Sequence, residues 1–269
     1  LCEKVMTEKF RLYKGAWIFR DSPHKEEKLS SEQKKQLLSS GGMFVRNCYM
    51  FDCTSPTHFW YVIKDSYGGF EELSSNMRRK VRKCYQTMKV ERISLDRLEK
   101  EGYEVYTAAM DAYRINATKE SYENFQKRLR SGEDNDVWAC FDVASGRMVA
   151  FSLNYITEST AEYRTLKALP EYRQRYAFYG LIHSMNQFYL EEKGMAYVCD
   201  GTRTITEHSN IQSFLIENFK FRKAYCHLDI TYKWWLSILV NCIYPFRAFA
   251  FIPSVKALLK QEAMSRGEE

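Results

Sequence analysis

The sequence is poor in residues that interrupt regular structure, with 12 glycines and 5 prolines among 269 residues. It contains no internal repeat and no tract of biased composition, so repeat architectures are excluded. Its eight cysteines include no Cys-x-x-Cys pair and no Cys/His cluster with zinc-ligand spacing, so no metal site is expected. No signal-peptide pattern is visible either. Reduced, partly buried thiols are the expected state, and they favour a cytoplasmic protein.

A strong charge of either sign is also missing. The formal net charge is +6 and the pI is near 8.8, which helps an anionic partner approach but does not identify one. Nucleic acid, a nucleotide cofactor and a membrane surface all stay open. What the chain does have is aromatic residues, at 15% of the sequence, and this content indicates sheets packed with large side chains.

Hydrophobic periodicity divides the chain into three parts. Residues 1–75 are predicted to form an N-terminal α+β extension, residues 76–233 the main α+β domain, and residues 234–269 a helical tail packed on that domain.

The stretch from Ala196 to Lys233 is the best-defined part of the main domain. A strand ends at Val198-Cys199, and Asp200-Gly201 is a turn signal. Ser209 lies three residues before Gln212, the spacing of a capping box at a helix start. A strand–turn–helix–strand unit is therefore predicted, with function-prone loops at the strand tip.

Two amphipathic segments allow two interpretations each. The helix predicted over Ser74–Lys89 carries five basic residues between positions 78 and 83, which form either a clamp for phosphates or a solvated face. The apolar run Trp234–Ile252 nearly reaches transmembrane length but is interrupted by Asn241, Pro245 and Arg247. It is either a helix packed on the domain and kinked at the proline, or an interfacial membrane helix.

From Val90 onward the predicted order is strand, two helices, three antiparallel strands, long helix, strand, helix, strand. With the segments MRRKVRKCYQTMKV at 77–90, YRQRYAFYGLIHSMNQFYLEEKGMAYVCDG at 172–201 and FLIENFKFRKAY at 214–225, this order resembles the GNAT superfamily of acyltransferases over about Ser74–Lys233. Within it, the chain is most similar to the branch of aminoacyltransferases that build peptidoglycan bridges. That resemblance implies a bacterial protein whose main domain holds a mostly antiparallel central sheet with helices on both faces. Residues 1–75 are either an added extension or a partial half of the same fold.

The resemblance implies acyl-coenzyme A as co-substrate, held where two strands splay apart near Leu166 and Val198, with its pyrophosphate at the start of the long helix. The residues that would hold it are Leu166, Lys167, Arg173, Gln174, Arg175 and Tyr176. The family's first loop glycine is replaced by Ala177 or Phe178. The family's acid tyrosine corresponds to Ile216 and a following glycine to Lys220, so the usual proton donor is missing.

Polar residues near this expected cleft are the other candidates. Glu162, Asp200, His208 and Tyr225 are the candidate catalytic residues, and Arg203 and Asn210 the candidate substrate-binding residues. Each also has a structural interpretation: an ion pair for Glu162, a turn cap for Asp200, a solvated loop histidine for His208 and a packed strand tyrosine for Tyr225.

Three functions remain open from the sequence. The first is an N-acyltransferase that moves an acyl group from acyl-coenzyme A to an amine of a small molecule or peptide. The second is an aminoacyl-tRNA-dependent transferase acting on a cell-wall precursor, with membrane-surface contact through 234–252. The third is a binding protein that kept the fold and lost catalysis. The expected location is cytoplasmic, with membrane association in the second case.

Overall fold

The computed structural model describes residues 8–112, 118–132, 135–205 and 210–268. The chain is α+β, as the sequence predicts, and forms two compact units. The first unit comprises Leu1–Tyr61, Thr202–Glu207 and Lys223–Glu269, and the second comprises Val62–Gly201 and His208–Arg222.

The strands that the structure describes agree closely with the apolar runs of the sequence. They are β1 Phe10–Tyr13, β2 Ala16–Phe19, β3 Phe44–Tyr49, β4 Phe59–Lys64, β5 Met88–Ile93, β6 Asp136–Asp142, β7 Met148–Ile156, β8 Thr160–Ala168, β9 Tyr197–Thr202 and β10 Arg222–Tyr232.

The helices lie mostly where the hydrophobic periodicity of the sequence predicts them. They are α1 Ser31–Ser39, α2 Ser75–Thr87, α3 Leu95–Asp111, α4 Tyr122–Arg130, α5 Pro170–Gln174, α6 Ala177–Asn186, α7 Ile211–Phe219, α8 Trp234–Ile243 and α9 Pro253–Arg266.

In the first unit, β1 and β2 form an antiparallel hairpin, β2 lies parallel to β3, and β10 runs antiparallel to β3. Helix α1 starts with a complete capping box, in which Ser30 accepts from the N–H of Gln33 and the Gln33 side chain accepts from the N–H of Ser30. Phe10, Val45 and Leu37 form a buried cluster of this unit.

In the second unit the strand order is β9-β8-β7-β6-β5. All neighbours are antiparallel except β8 and β9. Alternate side chains of β6 face different helices: Trp138 donates to Tyr189 Oη, just after α6, while the ring of Phe141 lies 4.1 Å from the Arg97 guanidinium of α3. Helices therefore cover both faces of this sheet, as predicted.

Helices α2 and α6 pack closely within the second unit. Ser74 caps α2 by accepting from the N–H of Met77, and Met77, Val81 and Cys84 form its buried stripe. Gly180 of α6 faces this stripe at a point where an added Cβ would overlap Cys84 Sγ. The absent side chain thus lets the two helices approach, and α2 supports the N-terminal half of α6.

Two predicted helices are interrupted. The long helix expected over Tyr176–Glu192 is preceded by the short helix α5, starts at Ala177 and widens into a π-helix over Gln187–Glu192. The helix expected over Trp234–Ile252 ends at Ile243, and a 3₁₀ segment over Tyr244–Phe249 follows, with Pro245 in its first turn. Proline lacks the N–H that a continuing helix needs.

Candidate functional site

Strands β8 and β9 are paired only at their beginnings. The parallel ladder joins Thr160 to Tyr197, Ala161 to Val198 and Glu162 to Cys199, and the described residues show no ladder pair beyond these. Strand β8 continues for six residues past Glu162, to Ala168. The two strands therefore diverge after Glu162 and Cys199, a few residues earlier on β8 than the predicted point near Leu166.

A β-bulge lies directly after this point. Leu153 of β7 pairs with Thr165 while Asn154 pairs with Tyr163, so Arg164 is an extra residue in β8. The extra residue reverses the alternation of faces: Tyr163 donates to Asn186 of α6, whereas Lys167 reaches Met110 of α3. In a regular strand, residues four apart would share a face. The bulge therefore changes the direction of the side chains that border the divergence.

Asp200 and Glu162 lie together at the divergence. Burial raises the pKa of Asp200 from 3.8 to about 8; a hydrogen bond from Gln212 of α7 opposes this rise, and the negative charge of Glu162 adds to it. Glu162 is half-buried and forms an ion pair with Arg164 Nε at 2.9 Å. A Cβ added to Gly201 would lie 3.7 Å from Glu162 Oε1, so this carboxylate lies against the glycine that follows Asp200. At neutral pH Asp200 is poised to exchange a proton.

The start of α6, which follows β8 through α5, is surrounded by cations. Tyr176 precedes the helix in the left-handed region, with φ of +71°, and makes no side-chain cap. Lys80 and Lys83 of α2 lie 5.8 Å from the centroid of its ring, and Lys80 also donates to Tyr179 Oη at 3.3 Å. Arg173 is exposed nearby on α5. Cationic side chains and the positive end of the helix dipole together favour an anion here.

A backbone cradle of the kind expected for a pyrophosphate does not fit this segment. The N–H groups of Tyr172 and Arg173 donate to the carbonyl of Leu169, and that of Tyr176 donates to Arg173, so α5 uses these donors internally. Ala177 is fully buried. Arg175 forms an ion pair with Asp142 at 3.2 Å, and Gln174 is exposed. Side chains, rather than a glycine loop, therefore offer the charge at this helix start.

Two predicted site residues belong to the first unit. Arg203 donates to the carbonyl of His58 at 2.7 Å, and its guanidinium lies 4.4 Å from the ring centroid of Trp60. Tyr225 of β10 packs edge-on against the same Trp60. Both side chains thus contact an aromatic ring of their own unit, and a role in binding or catalysis stays a prediction.

The remaining predicted residues lie at the start of α7. His208 is outside the described residues, and so is Ser209 of the predicted capping box. Asn210 is the N-cap of α7 and is exposed, but its side chain forms no cap hydrogen bond. Gln212, the predicted partner in the capping box, hydrogen-bonds to Asp200 instead.

The end of α7 supports the residue correspondence inferred from the family pattern. Lys220 has φ of +61° at the helix C-cap, the left-handed position where glycine is usual. Ile216, one turn earlier, is half-buried and cannot transfer a proton. Tyr163 does not replace it, because its buried hydroxyl donates to Asn186 and burial raises its pKa well above 10.

The thiol of Cys199 is not an activated nucleophile. Its burial raises its pKa well above the usual value of 9.0, and the negative charge of Glu162 adds to the rise. In the described part of the chain, no three His, Cys, Asp or Glu residues are grouped so as to hold a metal ion.

Sequence reasoning missed Arg164 and Gln212. Arg164 stands two residues after Glu162, and this spacing puts both side chains on one face of a strand, so an ion pair was foreseeable. Gln212 was assigned to a cap because Ser209 stands three residues earlier. Its bond to Asp200 depends on how α7 packs against β9, which spacing alone does not reveal.

Comparison with solved structures identifies the fold. FemX aligns over 75% of this chain and 68% of its own, at 11% identity and a TM-score of 0.50. L-PGS from Bacillus licheniformis aligns over 88% of this chain and 71% of its own, at 11% identity and a TM-score of 0.47. The PaiA N-acetyltransferase of Thermoplasma acidophilum, solved with coenzyme A, aligns over 49% of this chain and 87% of its own, at 16% identity and a TM-score of 0.38.

No protein-family model matches the sequence, and no curated protein matches it either. The structural likeness confirms the predicted GNAT-like fold. At this level of identity it concerns the fold alone, so the function has to be argued from the site.

Proposed function

We propose that this chain transfers an acyl group from a phosphate-bearing carrier to an amine, and that the reaction occurs where β8 and β9 diverge. The observation that carries this proposal is the pKa of about 8 of Asp200 at the divergence. A base that removes a proton from an ammonium group works best when its pKa lies near the working pH. An ordinary surface aspartate, near 4, would be too weak for that step.

In the proposed reaction, Asp200 takes the proton that the acceptor amine loses as its nitrogen attacks the acyl carbon. A C–N bond forms, and the bond from the acyl carbon to the carrier sulfur or oxygen then breaks. Backbone N–H groups at the free edge of a diverging strand are suited to stabilise the negative charge on the carbonyl oxygen. The ion pair with Arg164 keeps Glu162 in place beside Asp200.

Asp200 could also replace the proton donor that is missing because Ile216 stands at the position of the family's tyrosine. Once protonated, a carboxyl group with a pKa of about 8 can return its proton to the departing group. A thiolate leaves without help because its conjugate acid has a pKa near 8.5, whereas an alkoxide needs the proton. One residue can therefore act first as base and then as acid.

The carrier is proposed to be anchored by cationic side chains at the start of α6. Lys80, Lys83 and Arg173 would contact its phosphates, in place of the backbone cradle that α5 prevents. Acyl-coenzyme A is the first donor to test. Its phosphate groups carry the negative charge that these side chains attract.

An aminoacyl ester of tRNA is the second candidate donor, and the outer face of α2 favours it. Ser75, Arg78, Arg79, Arg82, Lys83 and Gln86 line one shallow concavity along this helix. Several basic side chains along one helix attract the phosphates of a nucleic acid. Arg78 forms an ion pair with Glu71 at 3.2 Å, which reduces its contribution to the positive charge of this face.

The test combines binding and turnover with both donors. Acetyl-coenzyme A and charged tRNA are each titrated against the protein, and transfer to a panel of amines is followed by mass spectrometry. We expect a covalent amide product with one donor class, and loss of that product in Asp200→Asn. Binding of neither donor, or undiminished transfer by Asp200→Asn, would contradict the proposal.

A further inference from the structure

Helix α8 is apolar on both of its sides. Its inner side packs against α9, where Leu236, Val240 and Leu259 belong to one buried cluster. Its outer side carries Trp234, Trp235, Ile238 and Leu239, of which Trp234 is 77% exposed and Ile238 59% exposed. The outer residues repeat at intervals of four and so form one stripe along the helix. An ordinary surface helix would carry charged or polar residues there.

The segment after α8 continues this apolar surface. In the 3₁₀ turn and the loop that follows, Phe246 is 66% exposed, Phe249 81% and Phe251 88%. Side chains exposed to this degree project from the surface and do not line a groove. Scattered apolar residues are normal on a protein surface, but a continuous apolar stripe marks an interaction site.

Basic side chains predominate around this apolar surface, although Arg247 forms an ion pair with Glu268 at 3.4 Å. Between Tyr232 and Glu262 the sequence contains Lys233, Arg247, Lys256 and Lys260 and no acidic residue. Arg247 stays at the surface, with its guanidinium 4.4 Å from the Tyr244 ring centroid. Exposed tryptophan and phenylalanine with lysine and arginine beside them is the composition of a segment that lies in the interface of an anionic bilayer.

The geometry favours lying on a membrane over crossing it. No single described helix is long and apolar enough to span a bilayer; the pair Trp234–Phe249 and Pro253–Arg266 passes by length and composition but is bent by 104°. The inner side of α8 is already covered by α9, and Glu262 of α9 accepts a hydrogen bond from Tyr232. Only the outer stripe and the phenylalanine turn are available to lipid.

We propose that the outer stripe of α8 and the turn that carries Phe246, Phe249 and Phe251 dock this protein on a lipid bilayer with anionic headgroups. The aromatic side chains enter the boundary between headgroups and acyl chains, and Lys233 and Lys256 remain among the headgroup phosphates. This inference does not depend on the proposed transfer reaction.

Flotation with lipid vesicles tests the proposal. The protein is mixed with vesicles of phosphatidylcholine, with or without phosphatidylglycerol. We expect the wild type to float with both and more strongly with the anionic vesicles. In the double variant Phe249→Ser, Phe251→Ser the partition coefficient should fall by about a hundredfold, since each phenylalanine contributes on the order of a tenfold change when buried. Trp234→Ser should weaken flotation by a smaller factor.

The matched control is Met50→Ser with Val143→Ser, which removes two apolar side chains of 61% and 64% exposure elsewhere on the chain. The control should float like the wild type, and all variants should keep the wild-type melting temperature. Three results would overturn the proposal: absence of wild-type flotation, equal flotation of the double variant, or equal binding to both lipid mixtures. A wild-type dimer that becomes monomeric in the double variant, without vesicle binding, would assign the surface to a second copy of the chain.

Discussion

The divergence of β8 and β9 and the outer surface of α8 differ in the way each departs from ordinary protein structure. At the divergence, burial raises the pKa of the Asp200 carboxyl group from 3.8 to about 8. The outer surface of α8 instead exposes large apolar side chains to solvent. A strongly shifted pKa is typical of a catalytic site, whereas a large exposed apolar area is typical of a docking surface. The proposed transfer reaction and the proposed membrane attachment therefore belong to different parts of the chain.

This difference predicts that the two regions respond differently to single substitutions. A site that performs chemistry depends on single atoms, so one isosteric change removes its activity. A docking surface depends on total area, so single changes there have graded effects and leave both the fold and the chemistry unchanged.

The largest effect is expected from Asp200→Asn. The variant keeps the side-chain shape and the possibility of a bond to Gln212 but cannot take a proton. We expect the rate of transfer to fall by about 10²–10⁴-fold, the usual contribution of a positioned general base. Glu123→Gln, an exposed change on α4, is the control and should keep full activity. Similar rates for the two variants would remove the distinction drawn above.

The wild-type rate should also depend on pH in a particular direction. A raised pKa means that Asp200 is protonated, and inactive as a base, below about pH 8. The rate should therefore rise with pH through about 8 and then level off, as followed in initial-rate assays. A plateau that begins near pH 4 would show that Asp200 has the pKa of an ordinary aspartate.

A third prediction concerns the packing that supports the start of α6. Gly180→Ala should destabilise the fold by about 1–3 kcal/mol, because the new methyl group overlaps Cys84 Sγ. Urea unfolding measures this change. Adding Cys84→Ala removes the overlapping sulfur and should recover part of the loss. If the double variant is less stable than the sum of the single changes, the contact between α2 and α6 has another basis.

Removing cations at the start of α6 should have a moderate effect that is confined to donor binding. Lys83→Ala with Arg173→Ala should raise the KM for the donor by roughly tenfold and change kcat little, because charge-assisted contacts of this kind contribute about 1–2 kcal/mol in total. Lys100→Ala, on α3, is the control. A change in kcat alone would place these residues in the chemical step instead.

The smallest effect is expected from the apolar surface. Phe249→Ser with Phe251→Ser should change the free energy of unfolding by less than about 0.5 kcal/mol, since neither side chain is buried. Transfer to a soluble amine should also be unchanged. Thermal unfolding and the same rate assay check both points. A large loss of stability would mean that these rings pack against the protein.

Much of the fold was predictable from the sequence, because it depends on local signals. The helix predicted over Ser74–Lys89 is present as α2, with Ser74 as its N-cap. The extra helix α5 was not predicted, because the stretch after Leu169 was interpreted as a loop by resemblance. Pro170 at the first turn of α5 is a helix-start signal that was available.

The site was predictable in part. Asp200 and Glu162 were selected because each ends or borders a strand, and the structure brings them together. The bulge at Arg164 could not be predicted, since it depends on the register between β7 and β8. The engagement of Arg175 by Asp142 was missed for a similar reason: the two residues are distant in sequence and meet only in the folded chain.

The central claim is that the divergence of β8 and β9 receives the acyl donor. A crystal structure with a thioether analogue of acetyl-coenzyme A, or with an amide-linked aminoacyl nucleotide, tests it most directly. The account predicts that the acyl group lies between Leu166 of β8 and Asp200 of β9, with the donor's phosphates beside Lys83 and Arg173. Strands that pair along their whole length, or a donor bound elsewhere, would contradict it.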